Sequence, residues 1–159
     1  MHVPESREKW KQTLLRRYGV PSLAYLSRCA SKESQTLFWE IWNNLPLELQ
    51  AKSYFAEHGG EFNVSFQGQF FKFDFVQSRI HKAIEYNGWN FHPKPHQDPQ
   101  EAGWCAFHPT LTVKAARARE ALKYEALERR GFQILTVWDR DRHGDPEGVV
   151  QQCLDFLLT

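Results

Sequence analysis

A chain of 159 residues has the length for one domain with one core, its 42% apolar and 14% aromatic content is ordinary for a globular protein, and no apolar run nears the ~20 residues that cross a bilayer. The start, MHVPESREKWKQ, has no apolar signal-peptide core, so a cytoplasmic protein without a membrane partner is expected; Cys29, Cys105 and Cys153 are odd in number and form no CxxC pair, which argues against a disulfide framework. The net charge of +1 is divided: residues 1–32 carry seven Lys/Arg against two Asp/Glu, 33–110 five against nine, 111–130 six against three, and 131–159 two against five, so basic segments flank an acidic middle, as expected where flanks neutralise phosphates and central acids hold metal.

Ser6 is placed to cap a first helix through Trp10, Leu14 and Leu15, ended by Gly19 and surrounded by bases that include Lys11, Arg16 and Arg17. Residues 1–30 are too thin to fold alone and read as an accessory segment that docks on the body or orders on a partner, with residues 31–159 as the main domain. Ser31 caps a second helix, SKESQTLFWEIWNNL, with Leu37, Ile41 and Leu45 as its apolar stripe and Pro46 as its stop. Glu33 lies on the stripe side, with Glu40 as the alternative helix-borne acid. An acid in the first turn is also what the helix dipole favours.

Gly59-Gly60 is expected to open the sheet, Glu61–Phe66 and Gln69–Val76 to form a hairpin around Gln67-Gly68, and Arg79–Tyr86 to follow as the next strand. Phe71, Phe73 and Phe75 alternate with Phe70, Lys72 and Asp74, so Asp74 should point away from the face carrying those three rings. Glu85 alternates likewise with Ile84 and Tyr86. A carboxylate on each of two paired strands can share a divalent cation, since Mg2+ takes hard oxygen ligands and keeps water; an edge hairpin whose acids face water fits the same spacing.

The turn Asn87-Gly88 leads into a long polar connection to Thr110 that holds His92, His96, Cys105 and His108, whose spacings match no standard structural zinc pattern, so structural Zn2+ is not expected. Thr112–Arg130 reads as a long helix whose apolar side includes Ala116, Ala118, Leu122 and Leu127, with Lys114, Arg117 and Lys123 among its charges and Gly131 as its stop. Phe132–Trp138 suggests a buried strand, and Pro146 starts a last helix whose Val149, Val150, Cys153, Leu154 and Leu157 face the body.

The order helix with Glu33, strand with Asp74, strand with Glu85, loop with His92, helix with Glu120 and Lys123, then GFQILTVWDRD, resembles the branch of PD-(D/E)XK nucleases that holds the very-short-patch-repair (Vsr) mismatch endonucleases and the phage homing endonucleases with an E-D-x-H-D motif. The resemblance spans about residues 31–141, and IEYNGWNFH and GFQILTVWDRD are its most specific parts. It implies an α/β (α+β mixed) fold, a restriction-endonuclease-like three-layer core with a central mixed sheet flanked by helices. Carried over by position, Glu33 matches the first Glu, Asp74 the metal-binding Asp, Glu85 the variable position, His92 the His, and Glu120 the final acid. The Lys of a standard PD-(D/E)XK core falls at Asn87, and the final Asp is Glu120. KWKQTLLRRYGVPS resembles a short Thr-x3-4-Tyr-Gly-Val element that often precedes the nuclease part of phage homing enzymes, which favours homing over mismatch repair.

The activity implied by this resemblance is that of a Mg2+-dependent endodeoxyribonuclease, with Mn2+ able to substitute, acting on double-stranded DNA as a monomer or homodimer. Asp74 and Glu85 would be its metal ligands. His92 would be its acid or base, because an imidazole ordinarily titrates near pH ~6.5. Glu33 and Glu120 would orient His92 or an outer water, and Lys123 would neutralise phosphate charge, although alone it reads as an exposed helix lysine. Lys11, Arg16, Arg17, Asn87, Lys114 and Arg117 are the expected DNA contacts. Mismatch-nicking and restriction enzymes are the alternatives within the class, and a DNA-binding module without cleavage is the alternative outside it.

Overall fold

The computed structural model describes residues 31–106 and 108–159, so the expected first helix with Lys11, Arg16 and Arg17 lies outside the described residues. Helix α1 (Lys32–Asn44) begins where Ser31 Oγ accepts the Ser34 N–H at 3.0 Å and ends at Leu45, which Pro46 holds extended. A short α2 (Leu47–Gln50) leads into β1 (Ser53–Phe55), an edge strand that the sequence pattern did not signal. The sheet therefore opens before Gly59-Gly60.

Strands β2 (Phe62–Phe66) and β3 (Gln69–Phe73) form the expected hairpin, with Gln67 at φ 48° and Gly68 at φ 75°, the positive pair that a tight primed turn requires. The strand expected over Gln69–Val76 is in fact two. The hairpin register ends at Phe62↔Phe73, Asp74 is a bend, and β4 (Phe75–Gln77) enters a separate four-stranded sheet at Phe75↔Ile84. Phe71 and Phe73 accordingly join one core cluster and Phe75 the other, rather than sharing a face. Unbroken alternation from Phe70 to Phe75 concealed the bend, because a period of two says nothing about which sheet a strand joins.

That sheet has the order β1-β4-β5-β6, where β5 is Lys82–Asn87 and β6 is Gln133–Trp138. β4 runs antiparallel to β1 and β5, whereas β5 and β6 are parallel and are joined across one face by α3 (Val113–Glu128). β5 starts three residues later than expected because His81, at φ 53°, ends the preceding turn. The chain finishes with α4 (Asp139–Gly144) and α5 (Pro146–Leu158), the latter capped by Asp145.

Alternation within the sheet divides the core. Phe75, Ile84, Tyr86 and Val137 pack with Leu37, Phe38 and Ile41 of α1 and Val149, Cys153 and Leu157 of α5. Val76, Ala83 and Ile134 pack on the other face with Ala126 and Leu127 of α3 and with Val64, Phe71 and Phe73 of the hairpin. The result is a mixed sheet between two layers of helix, with β5 covered on both sides. One helix position departs from expectation: Ala118 is exposed, and Ala126 takes its place on the buried side of α3.

Candidate active site

The bend between the two ladders is where the acids meet. Extending the β4–β5 register past Phe75↔Ile84 sets Asp74 opposite Glu85, but side chains complete the ladder there. Glu85 Oε1 accepts the Asp74 backbone N–H at 3.0 Å, and Asp74 Oδ2 accepts the Tyr86 N–H at 2.9 Å. Since Ile84 and Tyr86 belong to the α1/α5 face, Glu85 lies on the face that α3 covers, and Lys123 of α3 reaches its Oε2. Lys123 Nζ also sits 5.0 Å from the Phe73 ring centroid. The three charged groups thus converge from a strand bend, a central strand and a crossover helix.

Glu85 is 2% exposed, and Asp74 is half-buried. Burial, then repulsion from Glu85, pushes the Asp74 carboxyl well above the usual carboxylate range, while Lys123 and the Tyr86 N–H pull it back. Burial raises Glu85 as well, against the opposing pull of Lys123. Burial alone would lower Lys123, but Glu85 and Asp74 outweigh it and hold the ammonium charged. Two carboxylates and one ammonium meet there, a set that carries net negative charge when both acids are ionised. Such a place suits a divalent cation: the donors are hard oxygens, each carboxylate retains accepting capacity, and Mg2+ commonly binds through one or two carboxylates with water completing its shell. Asp74 and Glu85 are the residues that would hold it.

His92 arrives through a turn after β5 in which the Phe91 and His92 N–H groups both donate to the Gly88 carbonyl. Gly88 lets the Phe91 ring pack close to the turn, since a Cβ there would come 2.7 Å from Phe91 Cδ2 and the ring would have to move. His92 Nδ1 is 2.5 Å from Glu120 Oε1, and Glu120 lies three residues before Lys123 on α3, the spacing of neighbours on one helix face. The His92 ring also meets Trp138 edge-on at 6.3 Å. Asp74, Glu85, Lys123, Glu120 and His92 are thereby brought to one region, as the sequence suggested.

Several expected roles change. Glu33 does not touch His92: its Oε1 accepts the Tyr86 hydroxyl at 2.6 Å and stands 2.5 Å from His143 Nε2, because Tyr86 projects to the opposite face of β5 from Glu85. Burial and the bond to Glu33 raise the Tyr86 phenol far above its ordinary value. Glu40, the alternative acid, pairs with Arg142 at 3.0 Å. Asn87 closes β5 opposite Trp138 and is 3% exposed, so it is a buried strand residue rather than an accessible turn contact. The Arg117 guanidinium donates to the carbonyls of Lys94, Pro95 and Gln97, pinning the loop instead of facing a ligand, whereas Lys114 is exposed as expected. Among the described residues, no three or more His, Cys, Asp or Glu side chains gather in a metal-holding group, so His96, Cys105 and His108 form none with His92.

Sequence reasoning passed over Tyr86, Trp138 and His143. Tyr86 was signalled by its place next to Glu85 in an alternating strand, and Trp138 by the end of the FQILTVW run; nothing in the sequence joins His143 to Glu33, 110 positions earlier. Comparison of the chain with protein-family models, with curated proteins and with solved structures gives no match. No helix among the described residues is long and apolar enough to cross a membrane.

Proposed function

We propose that the chain is a divalent-metal-dependent endonuclease of double-stranded DNA, of the Vsr-like PD-(D/E)XK kind, and that the N-terminal element makes homing its most fitting role. The observation that carries the reading is the juxtaposition of Asp74, Glu85 and Lys123 at the break between two ladders, with the His92–Glu120 pair one helical turn along α3. The element order supports the restriction-endonuclease-like core: a helix, an antiparallel run of β1, β4 and β5 interrupted by the β2–β3 hairpin, then a crossover helix and a parallel strand.

Bound by Asp74 and Glu85, Mg2+ or Mn2+ would add positive charge at the scissile phosphate and lower the pKa of a coordinated water. Lys123 adds a fixed cation beside the phosphate as negative charge accumulates on it. Glu120 holds the Nδ1 edge of His92, which leaves Nε2 to take a proton from the attacking water or give one to the departing oxygen. Lys123 also supplies, from a helix, the cation that Asn87 cannot provide from the strand. A DNA-binding module without cleavage draws on Asn87 and Glu120, the two departures from the family pattern.

Titration with Mn2+ followed by electron paramagnetic resonance tests the metal site without any cleavage assay. Wild type is expected to bind Mn2+, and Asp74→Asn to lose that binding while keeping its far-ultraviolet circular dichroism. Equal Mn2+ binding by both proteins, or none by wild type at millimolar metal, overturns the assignment.

A further inference from the structure

Trp89 follows β5 after Gly88 and lies at the same end of the sheet as the turn from β6 into α4. Its N–H donates to Asp139 Oδ1 at 3.0 Å, which ties the two connections together, and its ring meets Trp138 edge-on at 5.6 Å. Trp138 also touches His92, so one indole forms a wall common to Trp89 and the candidate acid–base residue. Two cations lie over the Trp89 ring: the Arg140 guanidinium carbon at 4.3 Å and Lys94 Nζ at 5.3 Å from its centroid.

Among the described residues, neither cation has a carboxylate at ion-pair distance, so both keep their charge for a ligand. Asp139, beside Arg140, gives one oxygen to the N–H groups of both Trp89 and Arg140. Lys94 is held by its backbone: its N–H donates to Gln97 Oε1 at 3.1 Å, and its carbonyl accepts from Arg117 at 2.6 Å. An aromatic face that holds two cations already in place reduces the side-chain entropy lost when they meet an anion.

We propose that Trp89, Arg140 and Lys94 form a phosphate-binding platform that receives the backbone of the DNA duplex beside the cleavage site. The choice of DNA as ligand rests on the nuclease reading above. Charge complementarity supports it: the platform presents two cations over the Trp89 ring, which draw a polyanion, beside a site that offers two carboxylates to a divalent cation. Arg140 and Lys94 thereby take the place of Asn87 and Arg117, which are buried or committed to the loop.

The test measures duplex DNA affinity against salt in EDTA, with every variant made in the Asp74→Asn chain so that no cleavage intervenes. Arg140→Gln and Lys94→Gln are each expected to reduce the slope of log K against log salt by about 0.9, and the double variant by about twice that. Arg140→Lys should keep the slope. Trp89→Leu should keep it too while weakening affinity about threefold, because it removes preorganisation and not charge. Lys52→Gln, by β1 at the opposite edge of the sheet from β6, serves as the control for a loss of charge elsewhere.

Unchanged affinity and slope in Arg140→Gln and Lys94→Gln overturn the platform, as does a Lys52→Gln effect of equal size or no binding of DNA by the parent chain. The nuclease reading fails separately. Should wild type leave plasmid intact with Mg2+ while the slopes respond as expected, the platform stands and the hydrolytic reading falls; intact slopes with active cleavage give the reverse.

Discussion

Lys123→Met isolates the electrostatics of the site. Lys123 contacts Glu85 directly, and their side chains are 21% and 3% exposed. At a separation of about 3 Å and an effective dielectric of about 20, the attraction is about 5 to 6 kcal/mol, and the desolvation of Glu85 remains when Lys123 is gone. The carboxylate has an escape, because it can take up a proton. From an unfolded-state pKa of about 4.3, that costs about 1.36 × 2.7, or about 3.7 kcal/mol at pH 7, and about 1 kcal/mol at pH 5. This caps the loss. Partial exposure of Lys123 and the packing of the Met side chain bring the expected destabilisation to about 3 kcal/mol at pH 7 and about 1 kcal/mol at pH 5. The sign follows from the direction of the shift: Glu85 is already raised by burial, losing Lys123 raises it further, and a carboxyl raised on folding stabilises at low pH and loses that contribution as pH rises through its folded value. Urea unfolding at both pH values in EDTA makes the comparison, and Mg2+ added at pH 7 should recover part of the loss. The same destabilisation at both pH values, or less than about 0.5 kcal/mol at pH 7, would refute the reasoning.

Asp74→Asn should raise metal-free stability at pH 7 above that of wild type, with the advantage vanishing as pH falls and the wild-type carboxyl takes up its proton; denaturation midpoints across pH check it, and a less stable mutant at pH 7 contradicts it. His92→Ala should slow cleavage by about 100- to 10,000-fold with DNA affinity near wild type, as a proton-transfer role requires; single-turnover kinetics at saturating DNA and metal would remove His92 from the mechanism if the rate is unchanged. Deleting residues 1–30 takes away six of the seven bases of residues 1–32 and should both weaken DNA binding and flatten its salt slope; an unchanged slope would make the segment a structural cap.

Local chemistry was legible in the sequence. Ser31 caps α1 as its side chain promised, Pro46 stops that helix, and the Leu37, Ile41 and Leu45 stripe is buried. The pairing of His92 with Glu120 was implied by the family resemblance, whereas Lys123, expected against phosphate or in solvent, lies on Glu85. What remained hidden was set by three-dimensional competition. The bend at Asp74 depends on two sheets claiming one alternating run, so its opposition to Glu85 through side-chain bonds had no local sign. Asn87 reads as a turn residue beside Gly88, yet pairing with β6 extends β5 through it. Arg117 looked like a free helix cation until the loop carbonyls of Lys94, Pro95 and Gln97 came within its reach. Glu33 reaches Tyr86 because alternation sends Tyr86 to the face opposite Glu85, a consequence that was available from the strand pattern, whereas its contact with His143 had no sign in the sequence.

The most direct test of the central claim is cleavage of supercoiled plasmid by purified wild type and folded Asp74→Asn protein, each with Mg2+, with Mn2+ and with EDTA. The account predicts nicked or linear product from wild type with either metal, none with EDTA, and none from Asp74→Asn under any condition. Cleavage by wild type that persists in EDTA, or cleavage by Asp74→Asn at the wild-type rate, would contradict it.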